Sequence, residues 1–144
     1  MKIYLDNCCF NRPFDDQSQL RIQLESEAKL KIQDEIKEGI AQLVWSYILQ
    51  SENEANPFDE RKRAIGVWGR YASIDISEGP AVLKRGALLM QLGLQTKDAL
   101  HIACAIEAEC EYFLTTDDKI VTKNDYIGEL RITDPIGYIR EVYP

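Results

Sequence analysis

The sequence lacks the features that mark membrane, secreted and zinc-stabilised proteins. No apolar run approaches the length needed to span a bilayer. The first apolar stretch is broken at Asp6 and has no basic flank of the kind that precedes a signal-peptide core. The four cysteines include no C-x-x-C pair, so neither a disulfide framework nor a structural zinc site is indicated. We therefore expect a cytoplasmic protein with reduced thiols and no membrane contact.

Basic residues are also scarce, with 17 lysines and arginines against 24 acidic residues and a net charge of -7. This balance argues against a large positive surface for nucleic acid. It leaves open a site at which bound divalent cations supply positive charge locally, or a basic protein partner. A length of 144 residues, 45% of them hydrophobic, fits one domain spanning residues 1–144.

What the sequence does contain is a regular alternation of segments that predicts an α/β fold. Predicted strands cover Ile3–Leu5, Gln42–Trp45, Ser73–Ile76, Tyr112–Thr115 and Arg131–Thr133. Predicted helices cover Ser18–Lys37 and Pro80–Leu92, begin at the expected N-caps Ser46, Asn56 and Thr96, and open at Pro135. Apolar residues at four-residue intervals indicate the first helix, namely Leu20, Leu24, Ala28, Ile32 and Ile36. The alternation predicts a three-layer α/β/α sandwich around a mostly parallel sheet.

Acidic residues fall where such a sheet would place a ligand site. Asp6 ends the first predicted strand, and Asp117 and Asp118 follow the fourth. Asp98 lies in the first turn of a predicted helix, and Glu52 lies in the helix after the second strand. Ligands of open parallel sheets bind outside the carboxyl ends of the strands. We therefore expect these carboxylates to approach one another at that edge.

Helical spacing separates Glu52 from its neighbour Glu54. Residues three and four apart share a helix face, so Glu52 shares the face of Ile48 and Leu49, which we expect to point inward. Glu54 turns away from that face. A glutamate on the inward side of a short helix is the more unusual of the two, and we assign Glu52 to the site.

Taken singly, each acid has an ordinary structural explanation. Asp6 suits a turn, Asp98 complements a helix dipole, and Asp117 caps the short helix after it. Together, four converging carboxylates would repel one another unless cations were bound. Carboxylate oxygens are the ligands that magnesium and manganese prefer, so the set favours a hard-metal site.

These residues resemble a known family, the PIN-domain ribonucleases, and within it the VapC-like toxins of type II toxin–antitoxin systems. The resemblance rests on the strand ending in Asp6, on Glu52, and on the blocks KDALHIACA and FLTTDDK. It implies a PIN-like fold and a Mg²⁺ or Mn²⁺ site formed by Asp6, Glu52, Asp98 and Asp117. Asp118 is the neighbour that assists or replaces Asp117, and the spacing does not settle which.

The same resemblance implies metal-assisted hydrolysis of RNA by a small cytoplasmic homodimer that an antitoxin silences. Thr115 matches the small hydroxyl residue two places before the last acid, whereas Asn7 stands where the family commonly has a hydroxyl. Arg12 is a candidate for gripping an RNA phosphate, although a salt bridge to Asp15, Asp16 or a core acid fits it equally well. We group Arg12, Asn7 and Thr115 as substrate-binding candidates.

Other conspicuous residues are interpreted as structural. His101, the only histidine, shares a helix face with Asp98. A hydrogen bond to a metal-binding carboxylate or a contact with substrate is one interpretation, but a lone histidine in an apolar helix is more often a packed residue with its hydrogen bonds satisfied. Cys8 and Cys9 have no adjacent basic residue and are interpreted as packing residues. The basic cluster ERKR, residues 60–63, is interpreted as a solvated helix face, although it suits RNA steering as well.

Two alternative functions stay open at the level of sequence. Acids at strand ends also suit phosphoryl-transfer hydrolases and receiver-like domains, and Lys119 is adjacent to the last acids. However, the first strand ends in DNC and lacks the second nearby aspartate that a phosphatase would favour. The other alternative is a noncatalytic PIN-fold interaction module, which the presence of all four acids argues against.

Overall fold

Five parallel strands form the central sheet of the computed structural model, which describes residues 1–144. The strands are β1 (Lys2–Leu5), β2 (Gln42–Ser46), β3 (Ile74–Ile76), β4 (Tyr112–Leu114) and β5 (Arg131–Thr133). The helices are α1 (Asn7–Asn11), α2 (Leu20–Lys37), α3 (Tyr47–Glu54), α4 (Asp59–Tyr71), α5 (Pro80–Met90), α6 (Thr96–Glu107), α7 (Asp118–Val121) and α8 (Pro135–Val142). Two 3₁₀ turns cover Arg12–Phe14 and Thr122–Tyr126.

The strand order β3-β2-β1-β4-β5 explains the layering. The chain moves outward from β1 through β2 to β3 and then crosses back to β4 and β5. Because parallel crossovers are right-handed, crossover helices before and after this reversal cover opposite faces of the sheet. In agreement, α5 packs on α6, both of which follow the reversal. The C-terminal helix α8 leads to no further strand and packs on α2. The predicted three-layer α/β/α sandwich is confirmed, and every strand pair is parallel.

The central strand β1 places its terminal acid at the boundary of the core. Ile3, Tyr4 and Leu5 have no exposed surface, because β2 and β4 flank the strand and helices cover both faces. Asp6 extends the pairing by donating its backbone N–H to the Leu114 carbonyl at 2.9 Å. The carboxylate of Asp6 therefore begins where the hydrophobic core ends.

Of the three predicted N-caps, one is confirmed and two are wrong, whereas the predicted helix starts at Pro80 and Pro135 are confirmed. Ser46 caps α3, since its Oγ accepts the Leu49 N–H at 3.2 Å. Thr96 is the first residue of α6 and not its cap; Gln95 holds that position without a side-chain bond. Asn56 is also not a cap. Its side chain accepts the Phe58 N–H at 3.1 Å in a local turn, and α4 begins at Asp59.

The apolar row that indicates α2 does not lie on a single face of the helix. Each four-residue step advances about 40° around a helix, so Leu20 and Ile36 differ by about 160°. Ile32 and Ile36 are buried against the sheet, whereas Leu20 and Leu24 are exposed. Instead, polar side chains complete the inward face of the helix, including Glu25 and Lys29.

The short helix α1 is absent from the sequence-based prediction, which treats the segment as a loop. Asp6 precedes it in extended conformation and accepts the Asn7 N–H. Five residues are too few to show helical periodicity, so tertiary contacts decide the conformation. Cys9 and Phe10 are the buried residues of this helix, and burial of these two side chains anchors it on the core.

Candidate metal centre

Asp6 is held firmly by neighbours on both sides of its carboxylate. Its Oδ1 accepts the Asn7 N–H at 2.8 Å, and its Oδ2 accepts the Thr115 hydroxyl at 2.8 Å. Thr115 Oγ1 in turn accepts the Asp117 N–H at 3.1 Å. The end of β1 is thus linked to the turn that carries the last acid.

Glu52 and His101 complete the deepest part of the site. Glu52 lies on α3, and its Oε1 forms a hydrogen bond with Nε2 of His101 on α6. The same Nε2 lies 3.8 Å from Asp6 Oδ1. Ligand atoms from Asp6, Glu52 and His101 all lie within 4.8 Å of one another. Glu52 therefore does face the site, as its spacing from Ile48 and Leu49 predicts.

A buried hydrogen-bonded chain supports His101 from behind. Its Nδ1 lies 2.6 Å from the Tyr4 hydroxyl, which lies 2.6 Å from Ser46 Oγ. His101 is 1% exposed, and Tyr4 and Ser46 have no exposed surface. Burial raises the pKa of Tyr4 well above its ordinary value, so the phenol keeps its proton. The imidazole ring is consequently fixed at both nitrogens.

Asp98 and Asp117 form the more open side of the site. Both line a cavity of about 250 Å³, together with Lys119 and Lys123. Partial burial raises the pKa of Asp98, and the negative charges of Asp6, Asp117 and Glu52 raise it further. All three other candidate acids therefore act electrostatically on Asp98.

The structure separates Asp117 from Asp118. Asp117 lines the cavity with Asp98 and caps α7 through the Lys119 N–H. Asp118 points elsewhere and accepts two hydrogen bonds from Arg21 on α2, at 2.7 and 2.9 Å. These bonds hold the pKa of Asp118 below its ordinary value. Of the two neighbours, Asp117 is the one beside the other acids.

The three substrate-binding candidates have structural partners within the chain. Arg12 forms ion pairs with buried Glu25 at 2.9 Å and with Asp15 at 3.3 Å, which fastens the first 3₁₀ turn to α2. The Asn7 side chain accepts the Asn11 amide at 3.3 Å. Thr115 is wholly buried and bonded to Asp6. A direct contact of any of these side chains with substrate stays a prediction.

The predicted packing of His101 is confirmed, but the sequence does not identify its partners, nor the surroundings of Cys8. The available signal for His101 was its position three residues after Asp98, on the same helix face. Its partners Tyr4 and Glu52 come from distant parts of the chain, and no local pattern reports them. Cys8 is half-buried rather than simply packed, with its Sγ 3.5 Å from Asp6 Oδ2 and 3.3 Å from the Thr116 N–H.

The largest cavity lies elsewhere and has a different character. It measures about 570 Å³ and is lined by Trp45, Arg63, Arg70 and Asp75, among others. Asp75 is its only carboxylate, so it lacks the convergence of acids found at the end of β1. We therefore place the candidate centre at the acids and not in the largest cavity.

The donor set suits a hard divalent cation. Asp6, Glu52, Asp98 and Asp117 offer carboxylate oxygens, which magnesium and manganese prefer, and the site also has room for water. Asp6 is hydrogen-bonded to Thr115 and Glu52 to His101, the kind of outer support that metal ligands commonly have. These residues fit the cation that the sequence predicts.

Replacing Asp98 with asparagine is expected to stabilise the metal-free protein at pH 7. A carboxyl whose pKa is raised by folding costs stability once it ionises, so the penalty is present above the folded pKa and disappears as the pH falls. Thermal unfolding in EDTA should give a higher Tm for Asp98→Asn at pH 7, with no difference near pH 3. Asp34→Asn, an exposed control on α2, should show no such gain. Equal Tm values for Asp98→Asn and wild type at pH 7 would contradict the electrostatic picture.

Comparison with known proteins identifies the fold. No protein-family model matches the chain, and no curated protein matches it. A solved structure of VapBC2 from Rickettsia felis, bound to a DNA fragment from their promoter, matches with a TM-score of 0.60 and 15% identity. The match covers 93% of this chain and 98% of that chain. The chain has a PIN-like α/β/α fold.

A second solved structure agrees. VapBC-1 from nontypeable Haemophilus influenzae matches with a TM-score of 0.56 and 15% identity, covering 94% of this chain and 98% of that chain. Both matches extend over nearly the whole PIN-like fold. At this level of identity they establish the arrangement of strands and helices, and the chemistry has to follow from the site itself.

Proposed function

We propose that this protein is an endoribonuclease that hydrolyses RNA phosphodiester bonds with the help of Mg²⁺ or Mn²⁺. The observation that carries the proposal is the grouping of acids at the carboxyl edge of a PIN-like sheet. Asp6 and Glu52 offer ligand atoms within 4.8 Å of one another, Asp98 and Asp117 line one cavity, and the charges of the other three acids act on Asp98. A cation bound there would acidify a water molecule and neutralise charge developing on the phosphate.

The roles of the four acids follow from their surroundings. Asp6 and Glu52, the more enclosed pair, are oriented by Thr115 and His101 and would hold the cation. Asp117 would complete the set from the open side. Asp98 has a raised pKa, which brings its carboxylate closer to the basicity needed to accept a proton from the attacking water.

Two lysines at the open side of the site would hold the RNA backbone. Lys119 and Lys123 line the cavity with Asp98 and Asp117, and neither forms an ion pair within the chain. The candidate arginine, Arg12, is already engaged by Glu25 and Asp15. In a protein with a net charge of -7, local unpaired cations beside the site are the natural phosphate contacts.

Removing both lysines is expected to weaken RNA binding in a salt-dependent way. Each lost phosphate contact on a single strand lowers the slope of log K against log salt by about 0.7, so Lys119→Gln with Lys123→Gln should lower it by about 1.4. The slope is measured by fluorescence anisotropy with an Asp6→Asn background that prevents cleavage. The exposed pair Lys31→Gln and Lys84→Gln is the matched control. Equal slopes for the two double variants would place the RNA elsewhere.

The function itself is tested by cleavage of RNA with purified protein. Cleavage should occur with Mg²⁺ or Mn²⁺, stop in EDTA and return when the cation is restored in excess. No cleavage under any of these conditions would contradict the proposal. Transfer of labelled phosphate to Asp6 without RNA cleavage would support the phosphoryl-transfer alternative, and absence of divalent-cation binding would support the noncatalytic module.

We further propose that the enzyme is the cytoplasmic toxin of a toxin–antitoxin pair and forms a homodimer. Support comes from the fold, which the chain shares with chains from two VapBC complexes. Expression of the wild type in bacteria should arrest growth, and Asp6→Asn should not. Unimpaired growth with wild-type protein that cleaves RNA in vitro would separate the ribonuclease from the toxin role.

A further inference from the structure

The only histidine of the chain lies at the centre of the acid site with both ring nitrogens bonded. Nε2 meets Glu52, and Nδ1 meets the hydroxyl of Tyr4, which continues to Ser46. This series of hydrogen bonds ends at the Leu49 backbone N–H, which donates to Ser46 Oγ at 3.2 Å. In a buried series of this kind, each group has to donate or accept in a way that agrees with its neighbours, from Glu52 at one end to Leu49 at the other.

The groups at the two ends of the series favour one direction for its hydrogens. A backbone N–H only donates, so Ser46 Oγ accepts from Leu49. An ionised carboxylate only accepts, so Glu52 receives a hydrogen from His101 Nε2. Neutral imidazole then presents Nδ1 as an acceptor. The Tyr4 hydroxyl must donate to that nitrogen, and the Ser46 hydroxyl must donate to the Tyr4 oxygen.

We propose that His101 is a positioning residue, held as the Nε2–H tautomer by Tyr4 and Ser46, which orients the Glu52 carboxylate for cation binding. The tautomer is inferred from the hydrogen-bond partners of the two ring nitrogens, whereas its effect on a cation rests on the proposed function. In this arrangement His101 acts through Glu52 and is not itself a ligand.

Direct ligation by His101 would require the opposite order. Nε2 would need a free lone pair, so the hydrogen would move to Nδ1 and be donated to the Tyr4 oxygen. Tyr4 would then donate to Ser46. The Ser46 hydroxyl would in turn have to donate to the sulfur of the neighbouring Cys104. Sulfur is a weak acceptor, so this order sacrifices a buried hydrogen bond. The observed geometry favours donation to Glu52.

The tautomer can be read directly, because the chain has one histidine and its ring gives one pair of nitrogen signals. In ¹⁵N NMR of metal-free protein at neutral pH, Nε2 should have the chemical shift of a ring nitrogen that carries a hydrogen. Nδ1 should have the chemical shift of a ring nitrogen that carries none. Tyr4→Phe should leave the hydrogen on Nε2, where Glu52 accepts it, and should change the Nδ1 signal, because that nitrogen loses its hydrogen-bond donor. A wild-type ring protonated at Nδ1, or an unchanged spectrum in Tyr4→Phe, would overturn the proposal. A shift of the hydrogen to Nδ1 on addition of Mg²⁺ would also overturn it in favour of direct ligation.

Metal affinity supplies a second readout that does not depend on activity. His101→Leu should weaken Mn²⁺ binding about 10- to 100-fold, as loss of a ligand's supporting partner commonly does. His101→Gln keeps an N–H donor and should stay within about threefold of wild type. Binding is followed by Mn²⁺ electron paramagnetic resonance, with circular dichroism confirming the fold.

These outcomes distinguish the two proposals. Wild-type affinity in His101→Leu, or equal weakening in His101→Leu and His101→Gln, would contradict the positioning role. Failure of wild-type protein to bind Mn²⁺ would contradict the metal-dependent function instead. The tautomer measurement decides the assignment of hydrogens even if His101→Leu does not fold.

Discussion

Replacing Asp6 with asparagine is expected to lower the rate of RNA cleavage by at least about 10²–10³, the loss typical of removing one group that stabilises developing charge. Asp6 is the most enclosed of the four acids, at 7% exposed. Asparagine has nearly the same shape and can still accept the Asn7 N–H, so the fold should persist while the charge that holds the cation is lost. Single-turnover cleavage and circular dichroism measure the two effects separately.

The chain offers a closely matched control for this variant. Asp118→Asn makes the same chemical change at an acid that the structure pairs with Arg21, away from the cavity. It should stay within about twofold of wild type in cleavage rate, because exposed ion pairs contribute little to stability and Asp118 lies away from the cavity. Asp117→Asn should resemble Asp6→Asn. Full activity in Asp6→Asn, or greater loss in Asp118→Asn than in Asp117→Asn, would contradict the site assignment.

Replacing Lys29 with methionine is expected to stabilise the protein at pH 7 by about 1–2 kcal/mol. Lys29 lies on the inward face of α2 and is 2% exposed, with no carboxylate paired to its ammonium group. Its hydrogen-bond partner is the neutral Gln33 side chain. Burial lowers its pKa from 10.5 to about 8, and each pKa unit is worth about 1.4 kcal/mol, giving a cost of about 3 kcal/mol.

Aromatic rings offset part of that cost. The ammonium lies 5.2 Å from the centre of the Phe10 ring and 5.3 Å from that of Trp68, and each contact contributes about 0.5–1 kcal/mol. The burial penalty is the larger effect, so methionine, which fills irregular apolar space, should be the more stable residue.

The pH dependence of this gain separates charge from packing. Below pH 8 folding holds a charged lysine in an apolar site, and the penalty is complete. Between pH 8 and about 10.5, Lys29 loses its proton in the folded protein but keeps it in the unfolded protein. The free energy of unfolding of the wild type therefore rises over this interval. Urea unfolding should therefore show an advantage for Lys29→Met that shrinks over this interval. The exposed control Lys84→Met should stay within about 0.5 kcal/mol of wild type. A gain that does not change with pH would assign the effect to packing.

The positions of the acids at the strand ends could be predicted, because they depend on local sequence patterns and one general rule of parallel sheets. Short apolar strands alternating with helices imply a parallel sheet, and the carboxyl ends of parallel strands meet at one edge. Asp6 and Asp117 follow β1 and β4, which are neighbours in the sheet. Helical spacing then suffices to choose Glu52 over Glu54. These inferences need no knowledge of tertiary contacts.

The remaining features depend on contacts between distant segments. Arg12, which precedes α2, forms an ion pair with Glu25 within that helix. Asp118 is hydrogen-bonded to Arg21, 97 residues away in the chain. The support of His101 by Tyr4 likewise joins β1 to α6. Sequence spacing cannot report such pairs, so the sequence left the roles of Arg12 and Asp118 open and could not name the partners of His101.

The central claim is that Asp6, Glu52, Asp98 and Asp117 form one site for a divalent cation. The most direct measurement is X-ray diffraction from crystals soaked in Mn²⁺, which scatters anomalously, with Asp6→Asn crystals treated in the same way. We expect an anomalous peak within coordination distance, about 2.0–2.4 Å, of carboxylate oxygens from this set, and its loss in Asp6→Asn. A peak coordinated by other residues, or no peak in wild-type crystals at millimolar Mn²⁺, would contradict the account.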